Sequence, residues 1–235
     1  MSDVGSVRRR RGPVARLVNF ELYSVAEAAR LLGISPAKAA RWLDGYQRGG
    51  IIYPPVVREE PSGSEVVTWG EFVELGYLTE YRDKKVPLQQ LRPVINRLRE
   101  RYRTPYPLAT HKPFVGPGRK LVMQVEREAG IDRRLYMVVD SDQLIPSAAA
   151  EAFLEKVEFE ADVASLWRPG GRRSQVVIDP EMSFGIPTIR GIRTEVITEL
   201  YHAGEPPALI ARTWELDESD IHDAIRFELG LRRAA

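Results

Sequence analysis

Two helix starts and one helix stop are crowded into a short stretch near the front of this chain. Ser24-Val25-Ala26-Glu27 has the form of a capping box: the Ser24 hydroxyl accepts from the Glu27 amide, and Glu27 bonds back. Val25, Ala28, Ala29 and Leu32 then share one helical face. Gly33 can take the left-handed conformation that ends such a helix. Ser35 and Pro36 suit the N-cap and first position of a second helix. So short a connection leaves a sharp corner, as a helix-turn-helix requires.

The residues after Leu43 extend this module. Tyr53–Arg58 and Glu65–Thr68 read as two short strands around the turn residues Pro61-Ser62-Gly63-Ser64, which together make a wing. Thr68-Trp69-Gly70-Glu71 is a second capping box. It opens a helix to about Tyr81, with Phe72, Leu75 and Leu78 or Tyr77 on its apolar face. Pro87–Arg103 reads as a long basic helix striped by Leu88, Leu91, Ile95 and Leu98, with a kink or a later start at Pro93.

Turn chemistry at Tyr106-Pro107, Pro113 and Gly116-Pro117-Gly118 marks a change of character. Strands are expected at Leu121–Met123, Leu135–Val139 and Val157–Phe159, in a small antiparallel sheet, with a short helix over Ala148–Lys156. The last segment begins with the strand Val176–Ile178, and Thr188–Arg193 is the second strand of its hairpin. Thr194 caps a helix that buries Val196, Ile197, Leu200 and Tyr201 and ends at Gly204. Pro206-Pro207 opens the next helix. Asp217 caps a third, which buries Ile221, Ala224, Ile225 and Leu229 and stops at Gly230.

The expected fold is α+β and mainly helical. A disordered basic arm (1–20) precedes a winged helix-turn-helix with its long basic helix (21–103). A small antiparallel β region (104–167) and a linker (168–175) follow. The C-terminal trihelical, homeodomain-like module with a β-hairpin fills 176–235.

The net charge of +1 conceals an uneven distribution. Residues 1–135 carry 24 Lys/Arg against 15 Asp/Glu, whereas residues 136–235 carry 10 against 18. The basic half suits a polyanion such as DNA. Arg8–Arg11 suit phosphates or a minor groove, or form a solvated tail. The stretch 82–103 holds eight Lys/Arg against two acids, and either flanks DNA or pairs with acidic segments in 151–162. No apolar run reaches the roughly 20 residues of a membrane helix, and there is no cysteine. A cytoplasmic protein without a membrane partner is expected.

Catalytic readings find no constellation. His111, His202 and His222 are scattered, and the spacing of Asp220, His222 and Asp223 does not build a metal set on one helical face. Val115-Gly116-Pro117-Gly118-Arg119-Lys120 lacks phosphate-loop spacing. The expectation is a protein that is not an enzyme and has no cofactor or metal.

The residues Tyr23–Ala29, Leu32-Gly33-Ile34-Ser35 and Arg41-Trp42-Leu43 make Tyr23–Tyr81 resemble the winged helix-turn-helix of the MerR and excisionase type. In such domains the second helix enters the major groove and the wing touches backbone. The resemblance implies DNA contacts from Ser35, Lys38, Arg41, Trp42, Arg48 and Arg58; the bland reading is a helix pair packed internally. Ala40 stands where a long polar residue is common, so shape and arm contacts gain weight over base reading. Asp179-Pro180, Gly185–Arg193 and Ala203-Gly204-Glu205-Pro206 resemble the domain of unknown function 433, with Phe184 and Ile192 in place of two common small residues.

The pair of modules resembles long VapB-type antitoxins. That implies operator DNA, a cognate PIN-type ribonuclease toxin and autorepression by the protein; a homodimer is expected because a winged domain with few base readers gains specificity from two copies on a palindrome. Arg190, Arg193, Arg232 and Arg233 are the candidate toxin contacts; the other reading of Arg190 and Arg193 is that one of them pairs with Asp179 or Glu195 as a bridge that fixes the hairpin. A different reading is a stand-alone MerR-like transcriptional regulator that senses a small ligand.

Overall fold

The computed structural model describes residues 13–111, 138–140, 143–145 and 152–234. The basic arm residues Arg8–Arg11, the strand expected at Leu121–Met123 and the loop Val115–Lys120 lie outside them. The fold is α+β, with helices joined by short antiparallel strand pairs.

Helix α1 (Pro13–Val18) leads into strand β1 (Glu21–Ser24), helix α2 (Val25–Leu31) and helix α3 (Pro36–Asp44). Both expected caps form. Glu27 N donates to Ser24 Oγ, while Ser24 N donates to Glu27 Oε2 at 2.8 Å. These Ser24 bonds hold the Glu27 carboxyl below its ordinary range. Ser35 Oγ accepts from Lys38 N.

The wing is not where the turn residues 61–64 suggested. The hairpin is β2 (Tyr46–Arg48) with β3 (Ile51–Tyr53), turning at Gly49-Gly50. Both glycines have positive φ, 57° and 77°, which suits a two-residue turn matched to strand twist. Residues 54–58 leave the hairpin as irregular chain. Strand β4 (Val66–Thr68) pairs instead with β1, far back in sequence.

Helix α4 (Trp69–Asp83) is the centre of the molecule. Its expected single apolar face proved too narrow, since every residue from Trp69 to Leu78 is buried. Helix α5 (Leu88–Tyr102) begins at Leu88 and continues through Pro93. Its stripe Leu91, Ile95 and Leu98 is fully buried in the chain's own core.

Two of its arginines bind main-chain carbonyls. Arg92 donates to Pro54 O and Pro55 O, and Arg99 to Val56 O, Val57 O and Pro105 O. The base of the wing is thereby tied to α5. Helix α6 (Pro107–Thr110) follows.

The middle supplies two hairpins, β5 (Val138–Asp140) with β6 (Gln143–Ile145), and β7 (Val157–Glu160) with β8 (Val163–Trp167). Phe153, Val157, Val163, Ala164 and Trp167 join the N-terminal core, and Trp69 Nε1 donates to Ala164 O at 2.6 Å.

In the C-terminal part, Thr188–Arg193 is itself a hairpin, β9 (Thr188–Ile189) with β10 (Ile192–Arg193); Val177 only bridges to Thr188. Helices α7 (Thr194–His202), α8 (Pro207–Thr213) and α9 (Glu218–Ala234) pack over a second core built on Val176, Ile189, Ile197, Ile210, Ile221 and Ala224. Thr194 is the first residue of α7 rather than its cap, because its hydroxyl is committed to Glu228 on α9. Helix α9 does not stop at Gly230 but runs to Ala234.

Candidate nucleic-acid interface

Helix α3 sorts its residues by helical phase. Ala39, Trp42 and Leu43 point into the core, whereas Ala37, Ala40 and Arg41 are exposed. Lys38 lies between the two sets, with its ammonium 4.9 Å from the Trp42 ring centroid. Trp42 was expected at the DNA surface and is instead 3% exposed, a core residue.

The helix passes directly into the wing at Gly45. There φ is +74°, and a Cβ would come within 2.4 Å of Tyr53 O. Arg41 then lies over the Tyr46 ring at 5.5 Å, and Tyr46 stacks on Tyr53 with centroids 4.5 Å apart. Arg48 is exposed beside the Gly49-Gly50 tip, and Ile51 and Ile52 are exposed on the opposite strand. Helix and wing therefore form one continuous surface carrying Arg41 and Arg48.

Arg58, also expected at DNA, is spent on the fold. It is 7% exposed. Its Nε donates to Glu71 Oε1 at 2.8 Å, its Nη1 to both Asp44 oxygens at 2.8 Å, and its Nη2 to Val66 O at 2.9 Å. Burial alone would raise the Asp44 carboxyl. Hydrogen bonds from Arg58 and from the Ser62 and Gly63 amides outweigh that and hold it below its ordinary range. One guanidinium thus ties α3, the 58–66 loop and α4 together.

The C-terminal motif also resolves into separate roles. Arg190 has φ +49° at the hairpin turn, and its partners are neither Asp179 nor Glu195. It meets Asp217 at 3.2 Å and Asp220 at 3.7 Å, closing the start of α9 onto the hairpin. Arg193 is exposed. Arg232 and Arg233 sit on the last turn of α9, with side chains outside the described residues. The motif loop is anchored to the helix-turn-helix: Tyr23 Oη donates to Gly185 O at 2.7 Å. Burial raises the Tyr23 phenol well above its ordinary value, so it remains a donor.

The family model for a helix-turn-helix domain matches residues 10–56, and that for a protein of unknown function, DUF433, matches residues 176–227. The uncharacterized protein Rv2308 of Mycobacterium tuberculosis is 31% identical over 94% of this chain and 95% of its own length. The chain belongs to the family of Rv2308. A second relative from the same organism, described as "Putative antitoxin VapB45", is 26% identical over 87% of this chain and 92% of its own. The crystal structure of Rv2018 from Mycobacterium tuberculosis shares the fold, with a TM-score of 0.65 and 23% identity over 87% of this chain and 96% of that one.

Sequence reading missed the true wing of this family member, although Gly-Gly between Tyr-Gln-Arg and Ile-Ile-Tyr is a hairpin signal. It also missed β8. Among the described residues no group of three or more His, Asp or Glu could hold a metal. No helix among them is long and apolar enough to cross a membrane.

Proposed function

We propose that this protein is a DNA-binding antitoxin that represses its own operator and neutralises a PIN-type ribonuclease. The observation carrying the DNA half is Arg41 over Tyr46, which joins the exposed edge of α3 to the wing in one surface. On this reading α3 lies in the major groove. Arg41 and Lys38 reach base edges or phosphates, Ser35 sits at the helix entrance by a phosphate, and Arg48 follows the backbone from the wing. Two copies on a palindrome, about 34 Å apart, supply the specificity that a helix bearing Ala37 and Ala40 lacks.

The toxin half rests on the relative described as an antitoxin and on the exposed Arg193 of the C-terminal hairpin. A PIN-type site gathers carboxylates around a divalent ion, and an inserted guanidinium competes for them with its planar fork. Arg193, Arg232 and Arg233 are the candidates. Arg190 is already held by Asp217 and Asp220.

The test is fluorescence anisotropy on a duplex taken from directly upstream of the gene. Binding through roughly 6–10 phosphates falls by about 10³–10⁵ between about 50 and 200 mM salt, and a flat response refutes the DNA half. Co-expression with the neighbouring gene's product tests the other half. A complex that no longer cleaves RNA, and that regains cleavage when Arg193, Arg232 and Arg233 become Ala, supports it. A protein that binds its operator but no neighbour is a stand-alone regulator.

A further inference from the structure

The corner of the helix-turn-helix faces α9 across a cavity of about 530 Å³, in the size range of small-molecule sites. Leu31 and Leu32 wall it on one side, Phe227 and Leu231 on another, and Phe153 and Trp167 on a third. The charges around it are uneven. Arg30, Lys156, Arg173 and Arg226 face only Glu80 and Asp223. Asp223 is already satisfied by Arg226 at 2.9 Å and by the Gln175 amide. Arg30, Lys156 and Arg173 make no ion pair with another described residue. In the wall, Trp167 is 5% exposed and its indole N–H has no acceptor among the described residues. A buried donor left in this state is costly unless a partner arrives.

The geometry points to a binding site for a small aromatic acid, a flat apolar body bearing one carboxylate or sulfonate. The aromatic walls take the body, the unpaired cations take the anion, and an acceptor on the ligand can meet the Trp167 N–H. The site touches both matched segments of the chain, Arg30–Gly33 from the helix-turn-helix and Asp223, Arg226 and Phe227 from α9. The inference stands on the cavity and does not depend on DNA or toxin binding.

The probe is 1-anilinonaphthalene-8-sulfonate, titrated into the full-length protein and followed by its emission. N-phenyl-1-naphthylamine, the same body without the sulfonate, is the neutral control. Two variants address the site. Gly230→Leu places a side chain on the cavity wall where a Cβ meets no atom within 4 Å, and it keeps a helix-forming residue in α9. The double variant Arg30→Gln, Arg173→Gln removes two of the three cations offered to the anion, both at exposed positions outside the cores.

The expected result is saturation at one probe per chain, weakened at least about tenfold by Gly230→Leu. The double variant also weakens the sulfonate about tenfold but leaves the neutral control unchanged. Emission that does not saturate, or that neither variant alters, overturns the site. Equal loss of both probes in the double variant overturns the anion assignment. Arg41→Ala abolishing DNA binding while the probe titration is unchanged separates the two readings.

Discussion

Arg58→Ala separates a buried tie from a DNA contact. The substitution removes both bonds to Asp44, those to Glu71 and those to Ser64 O and Val66 O. Glu71, 5% exposed, keeps only its capping-box bonds with Thr68 and is left as a buried carboxylate without a counter-charge. Breaking a buried pair in this way costs about 3–5 kcal/mol. Against a total stability of roughly 5–15 kcal/mol that is a large share. At about 2–4 °C per kcal/mol for a chain of this size, Tm falls by roughly 6–20 °C. The assay is thermal and urea unfolding followed by circular dichroism, run beside Arg41→Ala, which should stay within about 0.5 kcal/mol of the parent. DNA affinity, measured where every variant is folded, should fall for Arg41→Ala and persist for Arg58→Ala. An Arg58→Ala protein of parental stability that has lost DNA binding refutes the reasoning. Acid gives a second signature. The Asp44 carboxyl is held below its unfolded value, so its stabilisation is present above about pH 4 and is lost as pH falls through the folded value. That acid limb should shrink in Arg58→Ala.

Glu74 titrates in the opposite sense: complete burial pushes it up to about 7, against the opposing pull of Arg99 and the Leu108 amide. The protonated form stabilises the fold at low pH, and that contribution is lost as pH rises through about 7, roughly 2 kcal/mol between about pH 5.5 and 8.5; urea midpoints at both values should converge in Glu74→Gln. Phe184 is 73% exposed with φ +54°, so Phe184→Gly should relieve left-handed strain and stabilise by about 1 kcal/mol, read as a higher Tm. Leu231→Ala should cost about 2 kcal/mol in urea unfolding, because Leu231 is buried in the N-terminal core despite lying near the chain's end.

What the sequence disclosed was local. Ser24 with Glu27, Ser35 with Pro36, and Thr68 with Glu71 each decide a helix start within four residues, and all three formed. Trp42 was legible as well, since Ala39, Trp42 and Leu43 share a helical face, but the likeness to DNA-binding helices drew it outward. Arg58 was not legible. Its partners lie thirteen and fourteen residues away on different helices, and nothing in the spacing reveals that they converge. The same holds for β4, whose partner is β1 rather than the strand before it, and for Arg190, which meets Asp217 and Asp220 across the C-terminal module. Positions set by long-range pairing answer to tertiary geometry, which periodicity does not encode.

The position of Leu231 bears on how the chain is made. The core around α4 is completed by Phe153, Trp167 and Ile178, and lastly by Leu231 from the final turns of α9. Domains usually fold in the order they are synthesised, front first. Here the front core takes one of its contacts from the far end of the sequence, and such distant contacts form slowly. A nascent chain carrying the entire helix-turn-helix still lacks the residues that fix its corner. A chain that ends before α9 leaves uncovered the part of that core against which Leu231 packs. The last turns of α9 and the first helices of the chain thus share one core.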